Sequence, residues 1–263
     1  FGGNQDDSAT AVSVGADGTI YVAGQTDAPL GGVVNAGKSD GYLRAIDGDG
    51  NVIYTRAAGA SAGEDSAQSI AQAADGGLII ASEVEGRAVL TKYAAGDDGT
   101  GAAVWSMDLG DLDGGRIGEV TVGDDSAIYL AGAAGAGFAP SAPLTANAGG
   151  RDAFLMKISD GPSASVDFTT FLGSAEDNSA SSVTVSNGVA YVSGKTSGAL
   201  PGQTQTGDRN AFVAGFDTTS GAVTFTQQLS GRGGLAEANA VVVDPTGDNA
   251  LDKLGFPTGE VRY

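Results

Sequence analysis

Acidic side chains recur at short spacings, and the first run of them resembles the start of a calcium loop. Asp47, Asp49 and Asn51 alternate with glycines, which places side-chain oxygens at every second residue. A complete loop also needs a bidentate carboxylate near its twelfth position, where this chain has Ala58. Asp- and Gly-rich stretches recur at 95–101, 159–165 and 217–222. The repetition favours tight turns capped by Asp side chains over a metal site, and calcium stays the alternative.

A second set of carboxylates precedes segments that recur along the chain. Its members are Asp6, Asp7, Glu64, Asp65, Glu176 and Asp177. If the segments surround a channel, these side chains form an acidic ring at one mouth. Such a ring could bind a cation weakly, or perform acid and base chemistry on a polysaccharide without histidine. The interpretation we favour is that the carboxylates cap tight turns by accepting hydrogen bonds from backbone amides.

Composition excludes several classes of function. The chain has 13 Lys and Arg against 32 Asp and Glu, a formal net charge of −19, so it would repel nucleic acid and anionic membranes. It has no cysteine and no histidine, which removes disulfides, thiolate zinc sites and the usual general base. No apolar run reaches the ~18 residues of a membrane span. We therefore expect an exported, extracellular or cell-surface protein with no membrane insertion, and not an enzyme.

Internal repeats define the fold. Apolar runs alternating across Gly, Asp or Asn turns recur at 11–24, 69–82, 119–132 and 182–194, as β-hairpins do. A third run follows each hairpin at 41–47, 87–93, 152–159 and 210–217, and a fourth at 51–57, 102–110, 166–173 and 222–230. Repeated four-strand units joined by short turns predict an all-β protein, a β-propeller of four-stranded antiparallel blades. A β-sandwich is the alternative.

The units divide the chain unevenly. We expect a propeller over 1–247, with units near 1–56, 57–107, 108–171 and 172–228 and a partial unit at 229–247. The partial unit supplies only the inner strand of a fifth blade, so a five-bladed ring is favoured, closed by strands from before residue 1. Residues 248–263 read as an exit linker or the start of another domain. The first residue is Phe1 and not Met, which suggests a segment of a longer protein.

The repeat resembles a known family, the bacterial SBBP β-propeller repeat. The resemblance is carried by "FGGNQDDSATAVSVGADGTIYVAGQT" in the first unit, "GGRDAFLMKIS" in the third, and "FLGSAEDNSASSVTV" with "DRNAFVAGFD" in the fourth. It implies a propeller in an exported or surface protein, in some cases one linked to adhesion, surface layers or flagella. It implies nothing about catalysis.

Recognition is expected where the units differ most, in the connections between second and third strands. Two of these connections carry apolar residues, namely Phe138, Pro140, Leu144, Leu200 and Pro201, which either bind partners or pack under the blade rim. Arg151 and Arg209 are predicted to pair with an acid of a neighbouring blade.

Together these features predict a non-catalytic interaction module that mediates structural or adhesive contacts, with a flagellar association as one speculative setting. The expected partners are a surface protein or glycan and other domains of the same chain, with no cofactor except, at most, calcium. The alternative is a propeller that binds or cleaves polysaccharide with carboxylates at the channel mouth.

Overall fold

The computed structural model describes residues 4–31, 33–59, 61–229 and 234–243, and these form sixteen β-strands in four antiparallel sheets. The first sheet contains β1 (Asp7–Val14), β2 (Ile20–Thr26), β3 (Asp40–Ile46) and β4 (Val52–Ala57). The second contains β5 (Asp65–Gln72), β6 (Leu78–Val84), β7 (Arg87–Tyr93) and β8 (Trp105–Asp111). The third contains β9 (Arg116–Val122), β10 (Ile128–Gly135), β11 (Arg151–Ser159) and β12 (Ser165–Leu172). The fourth contains β13 (Asn178–Ser186), β14 (Val189–Thr196), β15 (Asn210–Asp217) and β16 (Val223–Leu229).

Each sheet follows chain order from one edge to the other, which is the order of a propeller blade. The predicted all-β architecture of four-stranded antiparallel units is confirmed. The sheets are called blades one to four below. Residues 230–233 and 244–247 of the predicted partial unit, and the predicted linker 248–263, lie outside the described residues. No helix among the described residues is long and apolar enough to cross a membrane.

The core lies between blades. Three apolar clusters fill the spaces between blades one and two, two and three, and three and four. Strand β10 shows the consequence, because Ile128 and Leu130 face blade two while Tyr129 and Ala131 face blade four. All eight residues of β10 are therefore buried. A strand covered on both faces needs apolar or small residues throughout, as the run "IYLAGAAG" has.

The first strand of each blade carries a β-bulge at the same place. The bulges leave Thr10, Gln68, Gly118 and Ser181 without a partner in the ladder. On the neighbouring strand, a Cβ at Gly24 would lie 1.9 Å from the Ser8 carbonyl oxygen, and one at Gly194 would lie 2.0 Å from that of Ser179. Glycine is therefore needed at these two positions of the second strand, because the backbone of the first strand comes too close at the bulge for a Cβ.

From blade two onward, first strands are joined by one recurrent contact, in which a side chain accepts a hydrogen bond from the backbone of the next blade, whereas Thr10 Oγ1 of blade one donates to Ala67 O of blade two. Ser69 Oγ accepts from Val120 N at 3.1 Å, and Glu119 Oε2 accepts from Val183 N at 2.9 Å. Ser182 Oγ accepts from Val241 N at 3.2 Å. Residues 234–243 therefore follow blade four by the same contact that joins blades two, three and four.

Large apolar side chains that stay exposed in the described residues form two groups. Seven lie on outermost strands or the loops near them, namely Val34, Val52, Ile53, Val104, Leu144, Val223 and Phe225. Four lie at the two ends of the blade series, namely Val12 and Val14 on β1 and Leu235 and Val242 after blade four. We call the first group the rim residues. Val12 is 66% exposed although its counterparts Ile70, Val120 and Val183 are buried, because no blade packs on the outer face of blade one among the described residues.

Candidate functional site

One face of the propeller, called the mouth below, collects the side chains that could bind a ligand. First strands begin there, second strands end there and third strands begin there, so residues from these three places meet between adjacent blades. Two pockets lie at equivalent positions of the mouth, one between blades one and two and the other between blades three and four. Their linings differ in charge.

The pocket between blades one and two, called the acidic pocket, has a volume of about 490 Å³ and is lined by Asp27, Glu64, Asp65 and Glu83 with Lys38 as its one basic group. Lys38 Nζ lies 3.3 Å from Glu64 Oε1, and both side chains are about three-quarters exposed. Burial raises the pKa of Glu83 against the opposing effect of a hydrogen bond from Ile117 N at 2.6 Å.

The pocket between blades three and four, called the basic pocket, has a volume of about 240 Å³. Its charged lining residues are Arg116, Arg151, Lys195, Arg209 and Asp177. Arg151 pairs with Asp177 of the next blade, and Arg209 Nη1 lies 2.8 Å from Glu237 Oε1. The predicted pairing of these two arginines with neighbouring acids is confirmed.

A third cavity of about 410 Å³ lies at the mouth of the central channel. The bulge residues Gln68, Gly118 and Ser181 line it together with Asn239. Glu83 lines both this cavity and the acidic pocket, and Arg116 lines both this cavity and the basic pocket. The bulges of blades two, three and four thus turn an additional residue of the first strand toward this cavity.

The carboxylates predicted to form an acidic ring are divided by the structure. Glu64 and Asp65 line the acidic pocket, whereas Asp177 lines the basic pocket and is paired with Arg151. Asp6 and Glu176 are exposed and Asp7 is half-buried. The ring is interrupted because Arg116 and Lys195 lie on the same face, and the sequence analysis did not single out either residue.

Asp65 caps the turn that precedes its strand, as the favoured interpretation expects, whereas Asp177 bonds the neighbouring blade. Asp65 is 1% exposed, and its Oδ1 accepts hydrogen bonds from Ser61 Oγ at 2.8 Å and Glu85 N at 3.1 Å. Asp177 Oδ1 accepts one from Arg151 N at 3.1 Å, and the hydrogen bond from the Arg151 side chain lowers the pKa of Asp177. The Asp65 side chain thus joins the loop before β5 to the turn after β6, and the Asp177 side chain holds the start of blade four against blade three.

The stretch from Asp47 to Asn51 forms the turn between β3 and β4. Asp47 Oδ1 accepts hydrogen bonds from Asp49 N at 3.0 Å and Asn51 N at 2.7 Å, and Asp47 Oδ2 accepts one from Asn51 Nδ2 at 3.0 Å. These bonds lower the pKa of Asp47. Within the described ranges, no group of three or more Asp or Glu side chains is placed to hold a metal ion. Asp47 therefore stabilises the turn, and calcium binding there stays a prediction.

The predicted interaction loops place their apolar residues differently. Phe138 is 5% exposed and packs on Phe154 and Phe171, with ring centroids 5.8 Å and 6.3 Å away. Leu200 is 1% exposed. These two residues belong to the core and cannot contact a partner, whereas Leu144 and Pro201 are exposed and Pro140 is half-buried.

The loops also cover the outer edges of their blades. Leu144 N donates to Thr169 O at 2.8 Å, and Thr169 N donates to Ala142 O at 2.9 Å, which extends blade three beyond β12. In blade four, Leu200 N donates to Gln228 Oε1 at 3.0 Å and Gln228 N donates to Gln203 Oε1 at 3.1 Å. Covering an edge strand satisfies backbone groups that would otherwise pair with another chain.

Comparisons with known proteins identify one curated relative. The chain is 29% identical over 302 aligned positions to the Regulatory protein FlaEY of Caulobacter vibrioides, an alignment that covers all of this chain and 31% of that protein. The chain thus spans less than a third of the length of this relative. No family model matches the chain, so the resemblance to the SBBP repeat stays a prediction.

Solved structures with similar folds include other propellers. The Dos1 propeller aligns with 84% of this chain and 48% of its own chain at 15% identity and a TM-score of 0.49. A glycoside hydrolase family 43 arabinoxylan arabinofuranohydrolase from Bacillus subtilis aligns with 83% of this chain and 51% of its own at 15% identity and a TM-score of 0.39. These TM-scores are too low to carry an argument, so the fold assignment rests on the sheet order and on the packing between blades.

Proposed function

We propose that this chain is a non-catalytic β-propeller interaction module of an exported bacterial protein, making structural or adhesive contacts at the cell surface or on an appendage such as a flagellum. The observation that carries the proposal is the set of rim residues. These exposed apolar side chains recur on or near the outermost strand of every blade, where a partner could cover them. The similarity to a protein named as regulatory is compatible with a binding role.

The carboxylates at the mouth support the same proposal. Asp65 and Asp177 already have structural hydrogen-bond partners, Ser61 and Glu85 for Asp65 and Arg151 for Asp177. The sequence has no cysteine and no histidine. The contacts we propose are therefore lateral, through the rim, with a surface protein or glycan.

The rim can be tested in cells that display the parent protein. Phe225 on β16 is 43% exposed, and Phe225→Asp places a charge on the proposed contact surface. Gln227→Asp is the matched control, because Gln227 is exposed on the same strand and receives the same charge. Immunogold labelling with an antibody to the domain is expected to mark the envelope or an appendage. The label should be lost with Phe225→Asp and kept with Gln227→Asp, at unchanged melting temperatures.

Two other results would overturn the proposal. Label found only in soluble material would remove the surface role, and equal labelling of both variants would remove the rim contact. An EDTA wash adds a separate arm. Release by EDTA would show that divalent cations mediate attachment of this acidic chain, whereas release by salt alone would indicate a basic partner.

We also propose that the blades belong to a five-bladed ring, in which residues 234–243 are part of the fifth blade and strands from before residue 1 complete it next to blade one. The four exposed apolar residues at the ends of the blade series support this, because a blade packed there would bury them. The given sequence has no cysteine, so a cysteine introduced into it reports cleanly on exposure once any cysteine elsewhere in the parent protein is replaced. Val12→Cys should react slowly with a maleimide and Val34→Cys rapidly, whereas equal rates would argue against closure.

One observation favours polysaccharide cleavage as a second candidate. Glu83 has a raised pKa and lines both the acidic pocket and the channel cavity, as a general acid would need to. Incubation with a panel of polysaccharides should give no turnover if the module is non-catalytic. Turnover that disappears in Glu83→Gln would establish the enzyme instead.

A further inference from the structure

The basic pocket collects positive charge in a strongly acidic protein. The chain carries a net charge of −19, yet four of its 13 Lys and Arg residues line this single cavity of about 240 Å³. Asp177 and Glu237 neutralise part of that charge by pairing with Arg151, Lys195 and Arg209. Four positive and two negative groups leave an excess of two positive charges, in a protein whose other surfaces repel anions.

Two guanidinium groups in the pocket have unused hydrogen-bonding capacity. Arg116 makes no ion pair with any described residue, although it lines both the pocket and the channel. The Nε of Arg209 is buried and has no hydrogen-bond partner among the described residues. A buried N–H of a charged group without a partner is costly, and an oxyanion is the ligand that would satisfy it.

The acidic pocket lies at the equivalent place between blades one and two. Its different lining shows that the positive charge of the basic pocket comes from individual residues of blades three and four. Glu83 and Lys195 occupy the same place in the blade, each paired with the second residue of the third strand. Asp65 in the acidic pocket corresponds to Asn178 in the basic pocket, since each pairs with the end of the second strand. The fold requires neither charge, so the basic lining is a property of blades three and four.

We propose that the basic pocket binds a small organic dianion, a molecule with two carboxylates or an equivalent pair of oxyanions. The charge excess of two matches a dianion. The volume lies below the ~300 Å³ at which pockets for larger ligands begin, which limits the ligand to a few heavy atoms. A long polyanion would meet the negative charge of the remaining surface and be repelled. The site lies apart from the rim residues, so its failure would leave the rim contacts untouched.

Isothermal titration calorimetry with succinate, at constant ionic strength and with the full chain, tests the proposal. We expect saturable binding of one succinate per chain. Arg116→Gln should weaken it by about tenfold or more, the effect of one charge-assisted hydrogen bond. Arg116→Gln is the primary variant because Arg116 supports no ion pair of the described fold. Arg209→Gln is the second, with folding checked by circular dichroism since it also removes the pairing with Glu237.

The controls separate a built site from general attraction. Arg87→Gln removes an arginine outside the pocket, paired with Asp108 at 2.7 Å, and should change succinate affinity by less than about twofold. Acetate, a monoanion, should bind about tenfold more weakly than succinate, and inorganic phosphate tests whether the site requires carboxylates. Absence of saturable binding, or equal weakening by Arg87→Gln and Arg116→Gln, would overturn the proposal.

Discussion

Lys92 joins blades two and three, and we predict that its replacement by methionine is among the most destabilising changes in the chain. Lys92 is 3% exposed, and its Nζ lies 2.6 Å from Asp160 Oδ2 and 2.7 Å from Asp75 Oδ2. Asp160 also accepts a hydrogen bond from Trp105 Nε1 at 3.1 Å. Burial works against the charge on Lys92, but the hydrogen bonds that Lys92 donates to Asp160 and Asp75 outweigh it and raise the pKa of Lys92. The charged lysine is therefore stabilised by folding.

The predicted loss of unfolding free energy is the sum of the interactions that Asp160 and Asp75 lose when Lys92 is replaced. The Asp160 side chain is 13% exposed, so losing a charge-assisted bond there costs about 2–3 kcal/mol and leaves a carboxylate with one partner. The Asp75 side chain is 63% exposed, which limits its share to about 0.5 kcal/mol. Lys92→Met should therefore cost about 3 kcal/mol of unfolding free energy, near the lower end of the range for broken buried pairs.

Urea denaturation followed by circular dichroism measures this cost. Lys38→Met is the control, because Lys38 and Glu64 are exposed and their pairing should contribute less than about 1 kcal/mol. A double-mutant cycle with Asp160→Asn should give a coupling energy of about 1–2 kcal/mol. Fluorescence of Trp105, the single tryptophan, reports whether the Asp160 carboxylate shifts. A cost under about 1 kcal/mol, or coupling near zero, would refute the reasoning.

Three further predictions concern the bulge, the long loop and the turns. Gly24→Ala should cost about 3 kcal/mol in urea denaturation, because its Cβ would lie 1.9 Å from a carbonyl oxygen, whereas Gly48→Ala, which meets nothing within 4 Å, should change stability by less than about 0.5 kcal/mol. Phe138→Ala should cost about 3–4 kcal/mol and Leu144→Ala less than about 1 kcal/mol, since Phe138 is buried and Leu144 is 53% exposed; equal costs would contradict the packing described. Burial raises the pKa of Asp125, but hydrogen bonds from Lys157 and Tyr129 outweigh it, so the folded pKa lies below its ordinary value of 3.8. The stabilisation is present above pH 3.8 and is lost as pH falls below it, so acid titration by circular dichroism should show a shallower loss in Asp125→Asn than in the original chain.

The fold was predictable because each blade repeats the same local chemistry. Turns such as Asp75–Gly77 can be predicted from their residue types. The Asp75 carboxylate accepts a hydrogen bond from Gly77 N at 2.9 Å, and Gly76 adopts a positive φ. Four repeats of such hairpins with third and fourth strands leave few architectures other than a propeller. The sequence pattern did not show that β10 is buried on both faces. A strand covered on both sides has no alternation of apolar and polar residues to indicate which face is buried.

The site was harder to predict because it forms between blades. The carboxylates share a position in the repeat, and in the structure Glu64 lines the acidic pocket while Asp177 lines the basic pocket. The sequence analysis could not show that Arg116 and Lys195, far apart in sequence and at different positions of their blades, would face the same cavity. A search for charge differences at equivalent positions, such as Glu83 against Lys195, would have found the basic pocket.

That difference between equivalent positions is where this chain departs from a purely structural repeat. Contacts that build the blades recur, as in Lys92 with Asp75 and Asp160, and Lys157 with Asp125 and the Thr218 carbonyl oxygen at 2.8 Å. Residues that only hold the fold should vary little in chemistry between blades, because each blade meets the same neighbours. The residues at the mouth do vary in chemistry: acidic side chains line the pocket between blades one and two, and basic side chains line the pocket between blades three and four. Since packing does not require either charge, the difference supports the proposal that the basic pocket binds an anion.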